Sequence, residues 1–484
     1  MGKKSSKQRR FQQVEIGKIA GIRTVLEAVP ESMSAHAGVM MVAAVERKVG
    51  LLAELSRLIN DPRAQYLIDH KASDILMQRA CQIAAGHIDG NDADWLRGDP
   101  SIVASLDRHP VDGRPGASQE TISRFESNAI TMENLESVQN LLINHYLKRN
   151  KKRPKRIKLD IDGMNIKTFG AQEGAIYRGG KYKFEMYFPL MMFISDWCVG
   201  ATLRMGDQGE SSTVLPELKK IVAALRKQWT AVHITVRMDA AFGSPELYRW
   251  CRNENIDYEL GLRPNTVLAL EAKPFIDKAE QQFGEQFGKP LCIGKDSNKK
   301  AYEKHQTIRK LSDKNDRMAQ EKALMHRRVR VCGEFTYQAG SWDQPERVIV
   351  RADYTDKGLD IRYVIVSQKC GTPQQIYEDD YCQRGLAEQF NGRFKQTGQR
   401  LSTQTFYANQ FRMIMYGVTY QLLLYLHEYV GSKLKRSDVN TIRKTLMLMP
   451  MVVRCTATKI VFQISERHPH CKEFIATWRR LLAA

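Results

Sequence analysis

Four polar side chains recur at helical spacing within one short segment of the chain. Residues 381–395 contain Tyr381, Arg384, Glu388 and Lys395. At about 100° per helical residue, these four side chains fall within an arc of about 60°. A phenol, a guanidinium and an ammonium group would then surround one carboxylate, which suits the binding of a phosphodiester. The segment alone is equally consistent with a solvated amphipathic helix carrying an Arg384–Glu388 ion pair.

The same helical spacing predicts how the segment packs. Leu386, Phe390 and Phe394 fall on the opposite side, and we expect that side to pack against a sheet. Gly385 and Gly392 lie beside the polar stripe, where each costs about 1 kcal/mol in helix propensity. The missing side chains at these two positions would let a bulky ligand approach the helix backbone.

Further carboxylates lie in or directly after segments whose apolar residues alternate with the two-residue period of a strand. Along residues 157–162, apolar residues alternate with Lys158, Asp160 and Asp162, so both aspartates share one face. Residues 231–238 alternate in the same way, and Asp239 follows at the polar end of that segment.

Three acids from separate elements, namely Asp160 or Asp162, Asp239 and Glu388, could meet at the edge of one sheet. Carboxylates gathered there repel one another unless they share a hard cation, and Mg²⁺ prefers oxygen ligands. Two such ions can activate a water or a 3′-hydroxyl and stabilise the leaving oxygen of a phosphoryl displacement.

The elements that would position these residues alternate between strands and helices. This order predicts a mixed α/β sheet, with strands at 157–162, 182–194, 198–204, 231–238 and 256–262, and helices at 212–229 and 245–251. After residue 262 the pattern changes to a charged helical stretch (268–328) and three strands (329–337, 347–354 and 359–367). We interpret this part as an insertion, because the α/β pattern resumes after it.

The N-terminal third predicts a different organisation. Residues 1–35 are basic with little periodicity, and we expect them to be flexible. Apolar residues at three-to-four spacing predict helices over 36–147, and residues 117–125 have the pattern of an ordinary surface helix or of a small helix presented to a DNA groove. Residues 148–158 then carry eight cations and no acid, including Arg153, Lys155 and Arg156, as a solvated linker or a phosphate-binding strap would.

Composition narrows the class of protein. The chain has 484 residues and a net charge of +20, so a polyanion, and nucleic acid first, is the expected partner. Its nine cysteines are scattered without a CxxC pair, as in a reduced cytosolic protein. The N-terminus is not a secretory signal, and no apolar run is long enough to span a bilayer. We therefore expect a cytoplasmic protein that does not enter the membrane.

The spacing Tyr381-x2-Arg384-x3-Glu388-x6-Lys395 resembles the Tyr-Arg-Glu-Lys signature of DDE transposases from bacterial insertion sequences. The segments Asp160-Ile-Asp162-Gly and Arg237-Met-Asp239 resemble the first two acidic motifs of the same enzymes. The resemblance implies an RNase H-like mixed sheet core interrupted by a β-rich insertion, and an N-terminal all-helical DNA-binding domain.

The resemblance also implies roles for individual residues. Asp162, Asp239 and Glu388 are expected to bind Mg²⁺ or Mn²⁺ and to be catalytic, with Asp162 favoured over Asp160 as the first ligand. Gly163 and Met164 follow Asp162, where the family commonly has a threonine nearby. Residues expected to bind DNA are Tyr381, Arg384, Lys395, Trp342, Arg153, Lys155 and Arg156. Trp342 is a candidate for stacking on a flipped base, and the alternative is that it is a core or turn aromatic.

The resulting hypothesis is a transposase that binds terminal inverted repeats, acts as a homodimer on double-stranded DNA including the target, and works at the bacterial nucleoid. Alternatives are an RNase H-like nuclease or resolvase without strand transfer, and a DNA-binding repressor derived from a transposase. We divide the chain into a flexible N-terminus (1–35), a helical DNA-binding domain (36–147), the first part of the core (148–262), the insertion (263–367), the second part of the core (368–430) and a candidate dimerisation region (431–484).

Overall fold

The computed structural model of the protein describes residues 13–179, 182–208, 211, 213–290, 327–356 and 358–484. Its strands are β1 (Gln13–Ile19), β2 (Ile22–Glu27), β3 (Ser32–Ser34), β4 (Arg156–Gly163), β5 (Ile166–Lys167), β6 (Ile176–Arg178), β7 (Phe184–Tyr187), β8 (Leu190–Ile194), β9 (Trp197–Thr202), β10 (His233–Met238), β11 (Asp257–Leu262), β12 (Arg328–Tyr337), β13 (Glu346–Thr355), β14 (Gly358–Val366), β15 (Met451–Cys455) and β16 (Ile460–Gln463).

The helices are α1 (Val39–Val49), α2 (Leu51–Leu58), α3 (Ala72–Ala85), α4 (Asp92–Leu96), α5 (Pro100–Ser105), α6 (Gln119–Ala129), α7 (Leu135–Gln139), α8 (Leu141–Arg149), α9 (Val214–Gln228), α10 (Pro245–Asn253), α11 (Thr266–Glu271), α12 (Lys273–Phe287), α13 (Pro373–Gln375), α14 (Gly385–Thr397), α15 (Phe406–Leu426), α16 (Val439–Ile442) and α17 (Cys471–Ala483). Ile376–Asp380 and Arg443–Met447 form π-helical turns, and Tyr381–Arg384 forms a 3₁₀ turn. The end of the predicted charged helical stretch, at 291–326, lies outside the described residues.

An eight-stranded mixed sheet forms the centre of the fold, in the order β12-β13-β14-β11-β10-β4-β8-β9. Strands β4, β8 and β9 are antiparallel neighbours, whereas β10 pairs in parallel with both β4 and β11. Helix α9 connects β9 to β10, and α10 connects β10 to β11. This arrangement confirms the predicted mixed α/β fold with a large mixed sheet at its centre.

The three strands of the predicted insertion belong to the same sheet. Strands β12, β13 and β14 form an antiparallel meander, and β14 pairs with β11 at the edge of the core. The sequence predicted these strands to within two residues at each end. It did not predict that they extend the central sheet, because pairing between strands distant in sequence leaves no local periodicity.

One predicted strand, 182–194, is two strands in the structure. Strand β7 belongs to a separate small sheet with β5 and β6, and β8 belongs to the central sheet. Phe188 and Pro189 separate them. A proline lacks the N–H that a central strand needs, so the chain changes sheets at this point.

The chain forms two compact units, and their bounds differ from the predicted domains. The first unit combines the chain up to Leu52 with Arg63–Ile122 and Leu422–Ala484. It contains the hairpin β1–β2 and strand β3, which pairs with β15, so the region predicted to be flexible forms strands from Gln13 onwards. Helices α1, α3 and α5 pack in this unit around Val39, Cys81, Ala85 and Ile102.

The second unit, Ala53–Pro62 with Ser123–Gln421, contains the central sheet. One face of that sheet is apolar and packs on α9 through residues such as Leu159, Val236 and Leu225. The alternate residues of the same strands, including Asp160 and Arg237, point to the other face, where α14 contacts β4 and β8. Alternation along the strands therefore places the polar residues of β4 and β10 beneath the segment that carries Glu388.

Helix α6 corresponds to the predicted small helix. The Ser118 hydroxyl accepts a hydrogen bond from the Thr121 N–H (3.3 Å), while Ile122 and Phe125 are buried. Its insertion into a DNA groove stays a prediction. Among the described helices, none has the length and apolarity needed to cross a membrane.

Candidate active site

The two aspartates of β4 have different surroundings. Asp160 is 1% exposed, and both of its oxygens accept hydrogen bonds from Arg237 (2.6 and 2.8 Å). Asp162 lies two residues further on, at the end of the strand. Its Oδ1 accepts from the Gly163 N–H (2.9 Å) and its Oδ2 accepts from the Asn391 amide (2.8 Å). Asp160 is therefore committed to an internal ion pair, whereas Asp162 faces the segment that carries Glu388.

Asp239 follows the end of β10 and lies near Asp162. Strands β4 and β10 are parallel and adjacent, which places their carboxyl ends at the same edge of the sheet. Burial raises the pKa of Asp162 above its ordinary value, and the negative charge of Asp239 raises it further. Asp239 itself is exposed, and its Oδ1 accepts a hydrogen bond from the Ala240 N–H (2.7 Å).

The signature residues lie on a segment that is only partly α-helical. Tyr381 and Arg384 bound the 3₁₀ turn, and Glu388 lies in the first turn of α14. Tyr381 is buried, with the Arg384 guanidinium 5.9 Å from its ring centre. The continuous helix predicted over 381–395 is thus wrong before Gly385, because the backbone there tightens to the i→i+3 pattern.

The packed side of α14 agrees with the prediction in part, since Phe394 is buried and the ring of Phe390 lies 5.9 Å from that of Phe193 on β8. The buried residues of α14 are Ala387, Asn391, Phe394 and Thr397, whereas Leu386 is 37% exposed. Small side chains at Ala387 and Asn391 let the helix lie close to the sheet. The packed side is therefore rotated toward Glu388 relative to the side expected from apolar residues alone.

Arg384 lies among the carboxylates. Burial lowers the pKa of Arg384, but Tyr381 and the charges of Asp239 and Asp162 outweigh this effect and raise it above the ordinary value. Its Nη2 donates to Glu388 Oε1 (3.2 Å), while its buried Nε makes no hydrogen bond within the described residues. The Glu388 side chain is 64% exposed. Arg384 thus pairs with the third acid of the signature and lies within electrostatic range of the two aspartates.

A hard cation fits part of this donor set. Asp162 and Asp239 are neighbouring carboxylates whose like charges a dication would neutralise, and both offer oxygen ligands. Glu388 does not complete the set in this conformation, since its carboxylate points outward and pairs with Arg384. Within the described part of the chain, no group of three Asp, Glu, His or Cys side chains is arranged to hold a metal ion.

The rest of the signature helix is open on one side. Lys395 lies half-buried in its last turn. A Cβ added at Gly385 or at Gly392 would meet no atom within 4 Å. The space predicted beside the polar stripe is therefore present in the structure.

Comparison of the sequence with protein-family models assigns the chain to a family. The family model described as transposase DDE domain group 1 matches residues 21–484. The chain belongs to the DDE transposase family. It is thus a transposase, an enzyme that cuts and joins DNA, and the enzymes of this family use divalent metal ions.

Two solved transposases resemble the chain in a comparison of structures. A piggyBac transposase synaptic complex with hairpin DNA has 11% sequence identity and a TM-score of 0.41, covering 85% of this chain and 79% of that one. A Mos1 transposase paired-end complex with the left transposon end has 12% identity and a TM-score of 0.16, covering 37% and 57%. No curated protein matches the transposase significantly.

The predicted phosphate-binding strap of the transposase is engaged at its ends and exposed in its middle. Lys148 pairs with Glu54, and the Arg149 guanidinium lies 4.8 Å from the ring centre of Trp197. The three cations named as DNA contacts are exposed: Arg153, Lys155 and Arg156.

Trp342 lies in the turn between β12 and β13 of the transposase. Its ring packs edge-on against Tyr248 and Tyr337, with ring centres 5.5 and 5.3 Å apart. It also contacts the apolar core of the central sheet. Trp342 is therefore a packed turn aromatic in this conformation, and its stacking on a base stays a prediction.

Two positions of the transposase site were missed from the sequence. Asn391 binds Asp162 and lies three residues after Glu388, a spacing that places both on neighbouring parts of one helix. Gly261 on β11 leaves room for the signature tyrosine, because a Cβ there would lie 2.9 Å from the Tyr381 hydroxyl and 3.1 Å from the Ala240 nitrogen. The helical spacing of Asn391 was visible in the sequence, but the contact at Gly261 depends on packing between distant segments.

Proposed function

We propose that this transposase binds the terminal inverted repeats of an insertion sequence and uses Asp162, Asp239 and Glu388 with Mg²⁺ or Mn²⁺ for strand cleavage and transfer. The observation that carries the proposal is the arrangement at the sheet edge, where parallel β4 and β10 end on the same side with Asp162 and Asp239, and Arg384, paired with Glu388, lies within electrostatic range of both aspartates. This combination provides acidic ligands and a phosphate-binding cation at one place.

Arg384 and Glu388 exchange partners in this proposal. Their ion pair has an exposed carboxylate, so its contribution is only about 0–1 kcal/mol. A scissile phosphate offers Arg384 a bidentate partner, which would release Glu388 to turn toward the two aspartates. A bound divalent ion would act as a Lewis acid on the phosphate and lower the pKa of the attacking water or hydroxyl.

Tyr381 and Lys395 would hold flanking phosphates beside Arg384. The open backbone at Gly385 and Gly392 would let the DNA strand lie against the helix. Positioning of this kind is a main source of rate acceleration in phosphoryl transfer.

The exposed cations Arg153, Lys155 and Arg156 would add affinity that is independent of DNA sequence. Helices of the N-terminal region, α6 among them, and Trp342 would provide further DNA contacts. Two transposon ends require two active sites, so we propose a homodimer on DNA, with residues 431–484 in its interface. The net charge of +20 suits an enzyme that acts at the bacterial nucleoid.

Replacement of Glu388 tests the proposal. Glu388→Gln keeps the size of the side chain and removes its charge, so it should leave end binding within about threefold of the original protein while reducing cleavage by more than about 10³-fold. Asp277→Asn, a carboxyl-to-amide change on exposed α12, is the matched control and should cleave normally. Persistent cleavage by Glu388→Gln would show that Glu388 is not a ligand.

The products of the same assay separate the alternatives. Joined DNA, detected as a strand-transfer product on a denaturing gel, is expected of a transposase. Nicks without joining indicate a nuclease or resolvase. Binding of the ends without any metal-dependent cleavage indicates a repressor.

A further inference from the structure

A group of buried charges connects the sheet to the residue that precedes Tyr381. Arg237 on β10 is 4% exposed and forms the bidentate pair with Asp160 described above. Its remaining nitrogen, Nη1, donates a hydrogen bond to the backbone carbonyl of Asp380 (2.7 Å). All the donor nitrogens of this guanidinium therefore bind either β4 or the start of the signature segment.

Lys158 holds the same residue through its side chain. It lies on β4, two residues before Asp160, and its Nζ donates to Asp380 Oδ1. Asp380 ends the π-helical turn, and Tyr381 begins the 3₁₀ turn. The strands that lead to Asp162 and Asp239 thus bind both the main chain and the side chain of Asp380.

We infer that Lys158, Asp160, Arg237 and Asp380 form a positioning clamp that sets Tyr381 and Arg384 against the acidic site. The inference rests on the proposed function, since it assigns these residues to the geometry of that reaction. Arg384 lies one 3₁₀ turn after Tyr381, so displacement of Asp380 would move both groups. A displacement of about 1 Å at an active site can cost about 10²-fold in rate.

Glu259 completes the surroundings of the clamp. It lies opposite Arg237 in the β10–β11 register and is fully buried. Its Oε1 accepts from Gln368 (2.9 Å), whereas its Oε2 has no hydrogen-bond partner among the described residues. If Glu259 is protonated, the charged groups that remain are the two cations and the two anions of the clamp. Their charges cancel, which favours burial of the clamp.

Lys158 and Asp380 are the more exposed pair of the clamp and are therefore the residues suited to mutation. Truncation of Arg237 or Asp160 would leave a buried charge without its partner, and such variants risk unfolding. Lys158 and Asp380 retain 29% and 26% side-chain exposure, so their variants should fold. We therefore choose Lys158→Gln, Asp380→Asn and the double variant, with Lys158→Arg as the conservative replacement.

Single-turnover cleavage of a transposon-end duplex provides the first readout. Each single variant should cleave about tenfold or more slowly, and the double variant should be no slower than the slower single one, because the same contact is lost only once. Lys158→Arg should stay within about threefold of the original rate, and end-binding affinity should change little in all four. Arg226→Gln, which breaks the Arg226–Glu254 pair, is the matched control and should cleave normally.

Hydrogen exchange provides a second readout that needs no activity. Asp380→Asn should increase amide exchange in residues 376–388 and leave β12–β14 unchanged. Normal cleavage by Asp380→Asn, with cleavage still dependent on Glu388, would overturn the clamp and leave the proposed function intact. Failure of the original protein to cleave would overturn the proposed function, and unchanged exchange at 376–388 would overturn the clamp in either case.

Discussion

The amide of Asn391 donates a 2.8 Å hydrogen bond to Oδ2 of Asp162, and so connects the signature helix directly to the first acidic strand. Asn391 is 5% exposed and lies on the side of α14 that packs against the sheet. The bond fixes one oxygen of Asp162 in the part of the site where a cation would bind. Groups that orient metal ligands in this way are commonly worth 10- to 100-fold in activity.

Asn391→Ala should therefore lower the cleavage rate by about 10- to 100-fold and raise the Mg²⁺ concentration needed for half-maximal rate. The measurement is a titration of cleavage with Mg²⁺ at saturating DNA. Gln389→Ala, at an exposed position of the same helix, is the control and should follow the original curve. An unchanged metal requirement in Asn391→Ala would mean that the hydrogen bond has no part in the reaction.

Gly392→Ala should separate stability from activity. A Cβ at this position meets no atom within 4 Å, so the substitution should stabilise the helix by up to about 1 kcal/mol. It should nevertheless slow cleavage by about tenfold or more, because the added methyl group would occupy the space proposed for the DNA strand. Thermal unfolding and single-turnover cleavage measure the two effects.

Gly284→Ala in α12 is the matched control for this prediction, since a Cβ there also meets open space. It should raise stability in the same way and leave cleavage unchanged. Equal cleavage by the two glycine variants would argue against a DNA strand at Gly392.

Glu259 should make stability depend on pH. Burial raises the pKa of Glu259 from 4.5 to about 7, and the charge of Asp380 adds to the shift. The folded protein therefore retains a proton that the unfolded chain releases above its lower pKa, so this residue lowers stability as pH rises from 4.5 to about 7. The full effect above pH 7 is on the order of 3 kcal/mol.

Glu259→Gln mimics the protonated form and should remove this dependence. The unfolding temperature of the variant should exceed that of the original protein by an amount that increases from pH 5 to pH 7 and then stays constant to pH 8. Glu285→Gln, at an exposed position of α12, should show no such trend. A constant difference in unfolding temperature from pH 5 to pH 8 would show that Glu259 does not titrate in this range.

The exposed middle of the strap should determine part of the salt dependence of DNA binding. Triple replacement of Arg153, Lys155 and Arg156 by alanine should reduce the slope of log affinity against log salt by up to about 3, since each lost phosphate contact contributes about 0.9. Fluorescence anisotropy over a range of NaCl concentrations measures this slope.

The matched triple variant changes Lys273, Lys278 and Lys289 to alanine and removes the same charge from another exposed region. Its slope should stay close to that of the original protein. If both triple variants change the slope equally, the strap acts only through net charge.

Much of the core could be predicted because its signals are local. Alternation of apolar and polar residues predicted β4 and β10, and it placed Asp160 and Asp162 on the polar face of the first of these strands and Asp239 at the end of the second. Helical spacing predicted that Arg384 and Glu388 would lie together, as their hydrogen bond shows.

The rest depends on contacts between distant segments. The charged side chains of Lys158 and Arg237 suggested polar strand positions, but nothing near them in sequence pointed to Asp380. The 3₁₀ turn at Tyr381–Arg384 likewise had no local signal, since the spacing of the polar residues predicted a continuous helix. Pairing of β14 with β11 joins residues about 100 positions apart, which no periodicity within either strand could predict.

This pairing has a consequence for any attempt to shorten the protein. The meander β12–β14 covers the outer side of β11, so excision of residues 263–367 would leave the backbone amides and carbonyls of Glu259–Leu262 uncapped. An exposed strand edge of that kind can pair with strands of other protein chains. The trimmed enzyme would thus be prone to aggregate, because β12–β14 complete the sheet next to β11.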